Sequence, residues 1–380
     1  MRLAAYEGRK LLTLPVLWVF LVLCLAFNGL LIGTNLDGRD FLNEASSAAR
    51  ALGQRVDEGF SAGLAQRPAT ENRAVLQEAV QGMTNLYQDY DLTPLSDFYQ
   101  DYVKNSPLAA RAMAQKYDRL AQRVDHLAQT GADMDLYAGP VTYKSHQFLF
   151  CTLLRAVMGE GAILGMLATL YLLGYENLHR TESMAYTTRT GRRLLGRKLG
   201  VAVVLSLALY LLLALVTLGV YFTLWDYSGL WRASVSSQFN YLVDLLIQRP
   251  FLTWTDFTLA GYLAAVLALG GGVTGACCLL AALCGSLIRN TYLAALALML
   301  LCLLPLAGAA ACAQGGLWMA FYLISIHPAC LWLSCNAWFT ELGLNALVPW
   351  QETLGLTLAL LLLAAALWLA LRHFQRKDMV

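Results

Sequence analysis

Apolar residues in this chain fall into long unbroken runs, separated by stretches in which they recur every three or four positions. The runs cover 11–33, 148–174, 199–222, 258–285, 291–311 and 353–371. Each reaches the roughly 20 residues that a helix rising 1.5 Å per residue needs to cross about 30 Å of hydrocarbon. Between the first two runs the pattern changes. Leu42, Ala45, Ala49, Leu52 and Val56 form one stripe, Leu76, Val80, Met83, Tyr87 and Tyr90 a second, and Met113, Tyr117, Leu120, Val124 and Leu127 a third. Three stripes at helical spacing predict a small bundle whose core they fill, although the same stripes would also suit a dimer face. Turn residues at Asp91 to Pro94 and Asn105 to Pro107 separate the helices, and Pro107 suits the first turn of the third.

A seventh apolar run, 317–339, is interrupted near its middle by His327 and Pro328. Proline removes a backbone donor and disfavours helix in the residue before it. Two half-helices of about ten residues would each reach about 15 Å, half a bilayer, so this run is expected to enter and leave on one face as a re-entrant hairpin, with a seventh full span as the alternative. The predicted fold is therefore an all-α polytopic membrane protein. It comprises an N-terminal segment with the first span (1–33), a helical extracytoplasmic lobe (34–147), and a body with spans two to six (148–380). The body includes a link at 175–198 and an outer re-entrant segment at 313–352.

Composition agrees with a membrane protein: 58% of residues are hydrophobic and only 14% charged. The first run follows Arg2, Arg9 and Lys10 as a signal peptide would, but its apolar core is too long for one and no small-residue cleavage site follows. It is read as a retained helix. Basic residues then set orientation. Segment 1–10, the second-to-third link, Arg289 and the tail with Arg372, Arg376 and Lys377 alternate with the other connections, which places both termini on the cytoplasmic side; the expected location is a bacterial cytoplasmic membrane. The lobe, richer in acidic than basic residues, belongs outside.

No catalytic motif emerges. Gly191 to Leu199 superficially resembles a phosphate loop, but Lys198 is one place late and no Ser or Thr follows it. The five histidines are scattered without metal-ligand spacing, and the nine cysteines lie in or beside apolar runs with no C-x-x-C pair. Cys330 and Cys335 flank the proposed re-entrant turn; a bridge on the oxidising side is one reading of the pair, and buried small hydrophobes is the favoured one. The chain is not expected to be an enzyme or to hold a metal or cofactor, and no nucleic-acid partner is implied. Arg155 and Glu160 lie in the second span, about 140° apart around the helix, so each needs a partner elsewhere. An intramembrane carboxylate is costly, which makes Glu160 a candidate functional residue. In the fourth span Gly271 and Gly275 have the four-residue spacing that lets helices pack closely.

The most informative segment joins the second and third spans. It carries six basic and two acidic residues, beginning with Glu176 below the second span and ending with Gly191, Arg192, Arg193 and Lys198 entering the third. Taken with six spans, cytoplasmic termini and an outer re-entrant segment before the last span, this pattern resembles the membrane (permease) subunit of a type-2 ATP-binding-cassette exporter. In that family the link after the second span docks on the ATPase. The resemblance implies an ATPase-coupling interface at Glu176, Glu182, Thr187, Arg189, Gly191, Arg192, Arg193 and Lys198. It also implies ATP bound on a separate cytosolic ATPase subunit, and pairing with a second permease copy or a homologous permease in membrane lipid. Changing Glu176 or the Arg192–Arg193 pair is then expected to impair docking while leaving insertion intact. The lobe elaborates the family pattern. A second reading is a non-transport membrane protein, a sensor or assembly factor whose outer lobe binds a ligand or partner.

Overall fold

The computed structural model describes residues 2–137, 142–181, 194–244, 247–288 and 290–376. Among them six helices are long and apolar enough to cross a membrane. They are α2 (Pro15–Thr34), α9 (Leu154–Leu178) with its N-terminal extension from Lys144, α10 (Leu194–Leu224), α11 (Leu259–Leu287), α12 (Thr291–Gln314) and α15 (Gln351–Arg376). The extension comprises α8 (Thr142–His146) and a π-helical stretch, Gln147–Leu153. The chain is thus mostly helical and organised as a multi-pass membrane protein.

The first span starts later than its apolar run. Pro15 occupies the first helical position, where its missing N–H costs nothing. It separates α2 from a shorter amphipathic helix, α1 (Arg2–Leu12), that turns Glu7, Lys10 and Leu11 toward the bundle. The bundle core is closely packed where α9, α10 and α11 meet. A Cβ added to Gly270 of α11 would lie 2.6 Å from the Tyr210 hydroxyl and 2.8 Å from Met158 Cγ. Small residues here let three helices approach closely.

The lobe contains α3 (Arg39–Leu52), α4 (Glu58–Ala65), α5 (Glu71–Val80), α6 (Thr93–Val103) and α7 (Pro107–Thr130). All five residues of the third stripe are buried on α7. The second stripe is not one helix. α5 stops at Val80, Gly82 takes a positive φ of 71°, and Tyr87 belongs to a short 3-10 turn.

The lobe is also not a separate domain. Leu42, Ala45, Phe60 and Leu76 share a core with Tyr137, Trp225 and Leu230, whereas Tyr99, Met113 and Leu120 share one with Leu252, Trp318 and Leu344. Connections from the body therefore complete both halves. One connection, between α10 and α11, includes the hairpin β1 (Tyr241–Asp244) and β2 (Ile247–Pro250), a small antiparallel exception to an all-helical fold. At Gly229 in the same connection an added Cβ would collide with the Ser46 carbonyl oxygen of α3, so this backbone contact requires glycine.

The 317–339 run forms two short helices, α13 (Trp318–Ser325) and α14 (Pro328–Leu333). They break where expected, with His327 Nδ1 accepting the Ala329 N–H at 3.2 Å. Both are shorter than half a bilayer. α14 packs against α9, where Trp332 Nε1 donates to the Arg155 carbonyl at 2.9 Å. Cys330 and Cys335 are unbridged.

Candidate functional site

Three helix ends converge where the link begins and finishes. Leu178 closes α9, Arg180 takes a positive φ of 56°, and the Thr181 N–H returns to the Glu176 carbonyl at 2.9 Å. On the other side α10 begins at Leu194 and places Lys198 one turn in. The spacing of Glu7 and Lys10, three apart on α1, puts both on the face that meets these ends.

The result is a buried cluster of four charges. Lys198 Nζ pairs with Glu176 Oε2, donates to the Leu172 carbonyl at 3.0 Å and lies 3.9 Å from Glu7 Oε2. Lys10 Nζ lies 2.9 Å from Glu7 Oε1 and 3.2 Å from Glu176 Oε1. It also sits over the Tyr175 ring, 4.4 Å from its centroid. Glu7, Glu176 and Lys198 are 2%, 6% and 1% exposed. Burial works against the Lys10 ammonium, but the Glu7 and Glu176 carboxylates outweigh it and raise its pKa. Two carboxylates and two ammonium groups leave the cluster neutral, the condition under which buried charges are tolerated.

Of the residues expected at a docking interface, Glu176 and Lys198 face each other inside the protein. Glu182, Thr187, Arg189, Gly191, Arg192 and Arg193 fall outside the described residues. Glu7 and Lys10 were not anticipated, although an oppositely charged pair three apart just before a proline-started span is a legible signal. What the arrangement does is mechanical: it ties both ends of 182–193 to one another and to α1. At the same end, a Cβ on Gly174 would strike Thr291 Oγ1, so α9 also abuts the start of α12.

Glu160 does find a partner. Asn28 Nδ2 of α2 donates to Glu160 Oε2 at 2.8 Å and to Thr217 Oγ1 of α10 at 3.2 Å, forming a polar junction of three spans. Gly271 and Gly275 do not form a close glycine-mediated helix contact among the described residues. The nearest atom to a Cβ at Gly271 would be Tyr210 Cε1 at 3.5 Å, and nothing lies within 4 Å at Gly275. Both line an open groove between α10, α11 and α15.

A second buried charge cluster joins lobe to body at the opposite end. Glu341 pairs with Arg249 of β2, and its Oε2 lies 3.6 Å from Lys116 Nζ. That oxygen also accepts the Tyr117 hydroxyl at 3.2 Å and the Gly343 N–H at 2.7 Å. Lys116 further donates to the carbonyls of Gly343 at 2.7 Å and Ala346 at 3.1 Å. Burial opposes the Glu341 carboxylate, but Arg249, Lys116 and these donors prevail and hold its pKa below the ordinary value. Sequence reasoning missed this cluster. Its signal was Lys116 in the register of the third apolar stripe.

Among the described residues no group of three or more His, Cys, Asp or Glu is placed to hold a metal ion. No protein-family model, curated protein or solved structure matches the chain.

Proposed function

We propose that this chain is the permease subunit of an ATP-binding-cassette exporter. In this reading ATP is hydrolysed by a separate cytosolic subunit that docks on the 182–193 link, and a second copy or a homologous permease completes the path. Both termini lie in the cytoplasm, the lobe lies outside, and the α13–α14 pair enters the membrane from the lobe side.

The observation that carries the reading is the four-charge cluster. A link that transmits force must be fixed at both ends, since slack would absorb the displacement. Here Glu176 at one end meets Lys198 at the other, and Glu7 and Lys10 tie both to α1. A push on the link therefore moves α9 and α10 together. The cluster serves as the brace, and docking falls to the charged residues between its ends.

The test compares wild type with Arg192→Glu/Arg193→Glu at equal membrane levels. A like-charge contact adds repulsion where an exposed ion pair contributes only about 0–1 kcal/mol. An ATPase chain should co-purify with wild type and be lost, with its substrate-stimulated ATP hydrolysis, from the variant. Equal association and activity in both, or no ATPase with either, would remove the proposal.

A further inference from the structure

The lobe end holds a cavity of about 270 Å³ between α12, the α13–α14 pair and the start of α15. Leu306, Phe321 and Leu342 contribute to a largely apolar wall, and Ser334, Asn336 and Glu352 supply polar groups. Glu352 is 1% exposed. Its Oε1 accepts the Phe339 N–H at 3.3 Å, whereas its Oε2 is buried with no hydrogen-bond partner.

Among the described buried carboxylates Asp133 also keeps one oxygen unpartnered, and the rest are matched. Glu341 is matched by Arg249 and Lys116, Glu7 and Glu176 are matched by Lys10 and Lys198, and Glu160 receives the Asn28 amide. Among the described residues no Lys, Arg or His forms an ion pair with Glu352. A buried carboxylate without a cation is strongly disfavoured unless it holds a proton or meets a positive ligand.

We propose that this cavity binds a small organic ammonium ion. The ammonium N–H donates to Glu352 Oε2 and balances its charge, while a short alkyl tail lies against Leu306 and Leu342. Phe321 adds an aromatic ring to the same wall, a group that favours cations. Pockets for drug-sized ligands run to about 300–1,000 Å³, so this space suits a small amine below that size. A bare metal cation fits less well, because hard ions ask for about six oxygen ligands and most of this wall is apolar.

The site does not depend on the transport reading. Its test uses the full chain in lipid nanodiscs, titrated calorimetrically with n-butylammonium chloride, with n-butanol as the uncharged analogue and with sodium chloride as competitor. Saturable binding of butylammonium is expected, without butanol binding and without displacement by equimolar sodium. Glu352→Gln should weaken it at least tenfold. Leu306→Trp, which fills the cavity from α12 without touching the carboxylate, should abolish it while the protein elutes as wild type. Absence of saturable binding, equal binding of butanol, displacement by sodium, or undiminished affinity in Glu352→Gln or Leu306→Trp would each overturn the proposal.

Discussion

Replacing Lys198 by Met removes the most enclosed member of the link cluster while keeping a chain of similar length. Its Nζ pairs with Glu176, lies 3.9 Å from Glu7 and donates to the Leu172 carbonyl. Without it, two carboxylates share only Lys10, at 2.9 and 3.2 Å, and the cluster goes from neutral to one net negative charge. Breaking a buried pair by removing one partner costs about 3–5 kcal/mol. Lys10 remains close to both carboxylates, so the expected loss is about 3 kcal/mol. Glu176→Gln/Lys198→Met leaves the neutral Glu7–Lys10 pair and should cost about 2 kcal/mol less than the sum of its singles, within the usual range for groups in contact. Steric trapping in bicelles, which reads the folded population in a lipid environment, measures all four proteins. A single-variant loss below about 1 kcal/mol, or strict additivity in the double variant, would refute a shared buried site. The same geometry revises one expectation. Glu176→Lys would place a third ammonium beside Lys10 and Lys198, so it should impair folding and insertion as well as docking, and Arg192→Glu/Arg193→Glu is the cleaner test of docking.

Three further outcomes follow. Glu341 has a lower pKa folded than unfolded, so its contribution is fully present above its ordinary value of 4.5 and is lost as pH falls through the depressed folded value. Amide protection factors in α7 and the 341–346 turn, measured against the intrinsic exchange rate at each pH, should fall as pH drops below 4.5, and Glu341→Gln should remove most of that dependence; an unaltered pH profile in the variant would exclude Glu341 as its source. Gly270→Val should disrupt the bundle, because its side chain would strike Tyr210 and Met158, whereas Gly275→Val should leave monomer stability intact. Size-exclusion stability separates the two, and loss of dimer in Gly275→Val would assign the groove to contact between copies. An impermeant thiol reagent applied to intact cells should label Ser61→Cys and spare Ser183→Cys; the reverse pattern would invert the proposed orientation.

The sequence by itself determined the six long apolar helices, because unbroken hydrophobicity over about 20 residues leaves few alternatives. It also located the break at His327–Pro328 and the inward face of α7, since proline chemistry and helical periodicity are local properties. It marked Glu176 and Lys198 as belonging to one functional segment, but as parts of an outward surface. Only the tertiary structure decided that they face each other, because their pairing depends on how α9, α10 and α1 converge, which no spacing along one helix encodes. The lobe tells the same story. Its stripes predicted buried faces, yet the partners of those faces are Trp225, Leu252, Trp318 and Leu344, drawn from connections far away in the chain. Whether a charge is matched is likewise a tertiary property. Lys116 and Glu341 read separately as misplaced ions, and they become tolerable only where Arg249 and the 343–346 carbonyls meet them. Glu352, on an equally buried site, meets no such partner among the described residues.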